Sequence, residues 1–331
     1  MTAIATRESP EIRSIQERKF ADLLRHVLEG NRFYQQKYDE LGFSSGRPAG
    51  LSDRGDLPLT LQSELIRDQL ENAPFGTNLT YRMSRYTRMH RVPTIDGTPL
   101  CWLETAESWS WWLDCWKAVY EASGVIASDR VFVASSFGRS VGLWAAFEAG
   151  QQLGSLMIPG GSPGSPERLQ ALLHAGATVL VCTPAEARAL REATRASNDG
   201  SPRLTIEACD SVSSVSQAMG RCVPGGSWGG ERFYQVGAPE IGAWGYSCGT
   251  GSHLHINEEE FIAEVVDPNS RERAEPDEHG TQTGRLVLSN LGRVGSPLIR
   301  YVTNQNVELS RRPCPCGRKT AVIRCPVSRA T

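Results

Sequence analysis

The chain has 331 residues, which predicts two domains of ordinary size or one large one. At 40% hydrophobic and 22% charged it can bury a substantial core, which excludes wholesale disorder. Its 35 basic residues are balanced by 37 acidic ones, a net charge of −2, so nothing in the charge favours nucleic acid or an anionic membrane as partner.

The first segment repeats apolar residues at helical spacing, Ile12, Ile15, Phe20, Leu23, Leu24 and Val27, and a second short helix follows at Phe33, Tyr34 and Tyr38. Gly42 to Gly55, rich in Ser, Gly, Pro and Asp, reads as a loop. Leu57-Pro58-Leu59-Thr60 leads into a helix from about Leu61, with Thr60 as N-cap and Glu64 in its first turns. From Thr105 to Gly124 the pattern is an amphipathic helix carrying Trp109, Trp111, Trp112 and Trp116, residues that such a helix normally buries in a core. Short apolar strands then alternate with helices: Val131–Ala134, helix Val141–Leu153, strand Ser155–Pro159, helix Arg168–His174, strand Val179–Pro184, helix Pro184–Thr194. This alternation predicts a layered α/β domain with a parallel sheet, whose ligands sit beyond the carboxyl ends of the strands. The turns at Ser135–Gly138, Pro159–Ser162 and Thr183–Pro184 lie there. After about Arg203 the pattern changes to Gly- and Ser-rich loops and strand-like runs at Glu260–Asp267, Gly284–Ser289 and Leu298–Val302, a smaller β-rich subdomain.

No apolar run approaches the ~18 residues of a membrane helix, and the N-terminal segment is charged and lacks a signal-peptide core, so the sequence reads as cytoplasmic. In that setting nine cysteines suggest metal ligands or buried thiols rather than disulfides. Cys248, His255, Cys314 and Cys316 make a closed set of three thiols and one imidazole, the donor chemistry of structural zinc, with His253 competing for the imidazole place. Four protein ligands leave no open position, so such a metal would be structural. The remaining cysteines show no comparable grouping.

Over nearly its whole length the chain resembles the phenylacetate–CoA ligase branch of the acyl-adenylating superfamily. The stretches that carry the resemblance are Asn31-Arg32-Phe33-Tyr34, Leu57-Pro58-Leu59-Thr60, Val133–Gly142, Leu153–Gly161, Leu180–Pro184, Gly237–Gly242, the Cys248–His255 span, Pro297–Thr303 and Cys314–Arg318. The resemblance implies the large α/β domain of an adenylate-forming fold, with residues 1–205 as N-terminal helices and core and 206–331 as its remainder with a zinc-bearing β-rich subdomain. It implies chemistry in which a carboxylate attacks ATP and a thiol of CoA or a carrier protein then displaces AMP. It also implies a zinc site like the Cys/His set above.

The departures from the family pattern concern ATP. Where the family has a Ser/Thr/Gly-rich phosphate loop ending in Gly-Lys-Pro, this chain reads His90-Arg91-Val92-Pro93-Thr94-Ile95-Asp96-Gly97-Thr98-Pro99. Gly97 and Pro99 remain, the serines and the lysine do not, and Pro93 removes an amide donor. The aromatic-Gly-x-Thr-Glu motif reads Val236-Gly237-Ala238-Pro239-Glu240: Glu240 remains for magnesium, and Pro239 replaces the threonine. Arg-Tyr-x-Thr-Gly-Asp reads Arg300-Tyr301-Val302-Thr303-Asn304-Gln305, so the ribose-binding carboxylate becomes the neutral Gln305. The resemblance also places the family's small C-terminal domain, with its catalytic lysine, outside these residues.

On the acid side the resemblance assigns Ser136, Phe137, Gly138, Gly160 and Gly161 to the acyl pocket, Phe137 as an apolar wall and the glycines for close backbone approach. Three functions follow. One is a protein that binds an aryl or acyl carboxylic acid and hands it on or transfers it, with impaired ATP-dependent adenylation, as in specialised metabolism. The second is an acyl-adenylating CoA ligase that needs a partner domain, with Glu240 and His90 at its centre. The third is a structural or regulatory pseudoenzyme that binds a partner protein, or another copy of itself, through an exposed face. The first is favoured.

Overall fold

The computed structural model describes residues 9–40, 55, 57–94, 97–137, 140–161, 164–194, 201–220, 230–249 and 253–325. The expected helices are present: α1 (Pro10–Gly30) buries Ile12, Phe20, Leu23, Leu24 and Val27, and α2 (Arg32–Asp39) buries Phe33, Tyr34 and Tyr38. Asn31 caps α2 by accepting the Tyr34 amide. The expected loop at Gly42–Gly55 lies, but for Gly55, outside the described residues.

Helix α3 (Gln62–Glu71) starts where expected but is capped differently. Thr60 is fully buried and its hydroxyl donates to the Ile299 carbonyl at 2.7 Å, so it is committed elsewhere. Leu61 is the N-cap, and the Glu64 carboxylate reaches back to its amide at 2.7 Å. An antiparallel hairpin, β1 (Tyr86–Val92) and β2 (Leu100–Thr105), follows and was not legible in the sequence. Helix α4 (Ala106–Ala122) carries the four tryptophans, all buried as expected, and opens with the Ser108 amide on the Thr105 hydroxyl at 3.1 Å.

The chain divides into two compact units, residues 1–111 with 256–331, and residues 112–255. The second unit is the layered α/β domain. Its strands are β3 (Arg130–Val133), β4 (Leu156–Pro159), β5 (Val179–Cys182), β6 (Leu204–Cys209), β7 (Glu231–Ala238), β8 (Gly242–Ser247) and β9 (Leu254–Ile256). Strands β4-β3-β5-β6-β7 are parallel in that order, and β8 returns antiparallel to β7. Helices α5 (Val141–Leu153), α6 (Ser165–His174), α7 (Pro184–Ala193) and α8 (Val212–Gly220) make the crossovers. Phe132, Leu180, Leu172 and Leu190 form one side of its core. The parallel sheet thus continues through β6 and β7, past the change of pattern near Arg203.

The first unit resumes with an antiparallel set, β10 (Phe261–Val266), β11 (Thr281–Asn290), β12 (Tyr301–Ser310) and β13 (Val322–Arg324). The buried Gln16 of α1 donates to the Glu258 and Phe261 carbonyls at 2.9 and 3.0 Å, fixing that helix to the start of β10. The expected strand Leu298–Val302 starts three residues late, because Arg300 takes a positive φ of 49° that no extended strand allows. Among the described residues no helix is long and apolar enough to cross a membrane.

Candidate functional site

Within the second unit, the carboxyl ends of β5, β6 and β7 and the N-terminus of α5 line an open cavity of about 200 Å³. Trp112 and Trp116 of α4 and Val141 and Leu143 of α5 are apolar lining residues, and Ala243 of β8 adds another. Polar side chains are few: Ser140, Thr183, Asp210 and Gln235. A concave, mostly apolar lining with a few polar groups is the chemistry of a small-molecule site, and this volume suits only a small ligand. Gly237 must be glycine for local reasons, since a Cβ there would lie 2.5 Å from the Gly242 carbonyl oxygen. At Gly142 a Cβ would meet nothing within 4 Å.

Among the described residues of the turns assigned by resemblance to the acyl pocket, Ser136, Phe137, Gly160 and Gly161 are not lining residues of this cavity. Phe137 packs its ring on Phe147, centroids 4.9 Å apart. Gly160 fits where a Cβ would lie 2.7 Å from the Val133 carbonyl oxygen and 2.8 Å from the Phe132 ring, so its requirement comes from strand packing. The Gly161 carbonyl accepts the Arg168 guanidinium at 2.9 Å. Ser136 lies on the same connection as Phe137, and Gly138 lies outside the described residues. Sequence reasoning missed Val141, Gly142, Leu143, Ala208, Gln235 and Ala243. The strand-end rule would have found Ala208 had β6 been read as a further parallel strand.

Of the motif residues assigned to ATP in this unit, Gly237 lies near the end of β7, Pro239 and the buried Glu240 occupy the β7–β8 turn, and Gly237 and Pro239 line the cavity. The others lie in the first unit. His90 is on β1, its Nε2 4.0 Å from Glu104 Oε1. Glu104 and Arg293 are both fully buried and form an ion pair, with Nε to Oε2 at 3.2 Å and the guanidinium 5.5 Å from the Trp102 ring centroid. Burial pushes the Glu104 carboxyl up from its ordinary value, and Arg293 pulls in the other direction. Gly97 and Pro99 lie on the β1–β2 connection, where the Thr94 hydroxyl donates to the Thr98 carbonyl at 2.6 Å, and Asp96 lies outside the described residues.

Arg300 is engaged by its own unit. Its guanidinium donates to Glu264 at 3.2 Å, to the Gly55 carbonyl at 2.8 Å and to the Leu57 carbonyl. Thr303, Asn304 and Gln305 stand opposite the single residue Leu286, a bulge between the Val287–Val302 and Arg285–Asn306 pairs. The Thr303 hydroxyl closes it by donating to the Leu286 carbonyl at 2.8 Å. Such bulges re-aim side chains, and this one sets the direction of Gln305.

The metal-ligand candidates also divide between the units. In the second, Cys248 Sγ lies 3.6 Å from His253 Nε2, and donor atoms of Cys248, His253 and His255 all lie within 4.8 Å of one another. Where the sequence left His253 and His255 as alternatives, the structure brings both to Cys248. Ligands at about 2.3 Å for sulfur and about 2.05 Å for nitrogen around a tetrahedral zinc stand about 3.6 Å apart, which fits the observed separation. In the first unit Cys314 is buried and Cys316 half-buried on one turn, closed by the Gly317 amide on the Cys314 carbonyl at 3.0 Å.

No protein-family model matches the chain. Among curated proteins it is similar to the phenylacetate-coenzyme A ligase of Thermus thermophilus, 26% identical over 312 residues, covering 93% of this chain and 68% of that one. The phenylacetate-coenzyme A ligase of Aromatoleum evansii is 24% identical over 320 residues, with the same coverage. That of Pseudomonas putida is 22% identical and is covered over 64% of its length. Among solved structures, 2-hydroxyisobutyryl-CoA ligase in complex with 2-HIB-AMP and CoA matches with a TM-score of 0.85 at 19% identity, over 98% of this chain and 70% of that one. Its open conformation matches with a TM-score of 0.81 at 20% identity, over 94% of this chain and 73% of that one. The resemblance read from the motifs is therefore borne out, and the chain has the α/β fold of adenylate-forming CoA ligases.

Proposed function

We propose that this chain, similar to phenylacetate–CoA ligases over most of its length, is an acyl-CoA-ligase-like protein that binds a small aryl or acyl carboxylic acid. The cavity at the ends of β5, β6 and β7 carries this reading. Its tryptophan and aliphatic walls suit an aryl or short acyl body. The Val141 and Gly142 amides that open α5 suit the carboxylate, since the Leu143 and Trp144 amides are taken by the Ser140 carbonyl, with the Ser140 and Thr183 side chains beside it. Glycine at 142 leaves room in the first turn of α5.

The ATP side is weaker in this reading. The phosphate loop has lost its lysine and serines, Arg300 is engaged by Glu264 and two carbonyls, and Gln305 replaces a charged acceptor. Losing one electrostatic contact to developing charge typically lowers a rate by about 10²–10³, and several are missing here. The chain accordingly works in acyl handling or transfer, passing its acid to a CoA or carrier-protein thiol. For the structural zinc expected from the sequence, the second unit supplies Cys248, His253 and His255. Bound zinc pins the β-rich segment and leaves catalysis to other groups.

A pyrophosphate-exchange assay with aryl and short-chain acids tests the reading. It predicts background exchange together with measurable acid binding. Robust exchange by the purified chain would instead establish the second reading, an adenylating ligase, which the retained Glu240 on the β7–β8 turn favours.

A further inference from the structure

Helices α7 and α8 flank β6, and the groove between them has a volume of about 410 Å³. It lies wholly within the second unit and shares the strand-end residues Thr183, Ala208, Cys209 and Asp210 with the acid cavity. Its walls carry three arginines. Arg188 and Arg191 stand three residues apart on α7, hence on one face of that helix, and Arg232 comes from β7.

The charge balance of this groove is uneven. Glu207 is 1% exposed, and its Oε1 accepts from Arg191 Nη2 at 2.8 Å and from Arg232 Nη2 and Nε at 2.8 and 3.0 Å. One carboxylate therefore fixes two guanidiniums and neutralises one of them. Arg232 is further held by the Ala218 carbonyl at 2.9 Å and by the Tyr234 ring, 5.3 Å away. Arg188 is exposed and has no hydrogen bond or ion pair among the described residues. The exposed Asp210 is engaged by the Ser211 and Ser214 hydroxyls. The wall of the groove thus holds three guanidiniums, two of them already immobilised, against the two carboxylates of Glu207 and Asp210, and Arg188 is the guanidinium that neither carboxylate binds. Pre-fixed guanidinium forks of this kind match a phosphate group, whose monoester carries a charge of about −1.5 to −2 at neutral pH.

We propose that the α7–α8 groove is a second ligand site that binds the phosphate of a phosphomonoester. Arg188 makes the direct ion pair, and Arg191 and Arg232 direct their remaining N–H groups at the same oxygens while Glu207 holds them in place. The inference stands on the groove alone and does not require the acid site to be correct.

The test is calorimetric titration of the full chain with phenyl phosphate, alongside phenol and phenylacetate. Phenyl phosphate should bind saturably, phenol should not, and added salt should weaken the binding. Arg188→Gln should weaken phenyl phosphate by about tenfold, as loss of one charge-assisted hydrogen bond does, and Arg188→Lys should recover part of that loss. Neither change should alter phenylacetate binding, so failure here is distinguishable from failure of the acid site. Arg188 is exposed and unbonded, so the variants should fold normally. Absence of saturable phenyl phosphate binding, or equal binding by Arg188→Gln, would overturn the proposal.

Discussion

Gly142→Leu separates binding from stability at one position. Gly142 lies in the first turn of α5, lines the cavity proposed for the acid, and would project a Cβ into open space. Replacing glycine inside a helix removes a conformational cost of about 0.5–1 kcal/mol, so unfolding free energy should hold or rise by that amount. The added isobutyl group meets the acid instead. An acid body competing with it for about 200 Å³ faces the overpacking cost of inserted methylenes, about 1–3 kcal/mol, or roughly 5- to 150-fold in Kd. Trp112 and Trp116 line the same space, so tryptophan fluorescence provides the titration signal. A folded Gly142→Leu protein that binds aryl acids as tightly as the parent would refute the assignment of the cavity.

Three further outcomes are expected. Glu104→Gln strips a fully buried Arg293 of its counter-charge and should destabilise by about 3–5 kcal/mol in urea unfolding, whereas the double change Glu104→Leu with Arg293→Met should recover most of it; equal losses in both would contradict the buried-pair account. Metal analysis should find zinc in the purified protein and its loss in Cys248→Ser, with a lower Tm, while unchanged metal content would remove Cys248 from the site. Burial pushes the Asp129 carboxyl up, but the Arg203 guanidinium, Ile126 amide and Thr178 hydroxyl together outweigh it and hold it below its ordinary value. Its contribution is therefore present above the unfolded value of about 3.9 and is lost as pH falls through the lower folded value, so Asp129→Asn should flatten the acid limb of stability below about pH 4, and an unchanged limb would count against this network.

The helices and the first parallel strands were legible because their signals are local. The spacing of Phe20, Leu23, Leu24 and Val27 marks one buried face, and Val131–Val133 and Val179–Cys182 are short apolar runs between turns. The hairpin of β1 and β2 was not, because β1 alternates half-buried with exposed residues and includes two arginines and a histidine. The Thr60 cap was misread because burial against the Ile299 carbonyl, 239 residues away, outweighed a local preference. The motifs located the fold and the β7–β8 turn of the site. They did not reveal that the Arg300 guanidinium is taken by Glu264, or that Gly160 serves strand packing, since both depend on neighbours distant in sequence.

Calorimetric titration of the unmodified chain with phenylacetate and, separately, with Mg–ATP tests the central claim most directly. The account predicts saturable binding of the acid with a negative heat-capacity change from apolar burial, and weak or undetectable binding of Mg–ATP alone. Tight binding of Mg–ATP by a chain that binds no aryl or short-chain acid would contradict it.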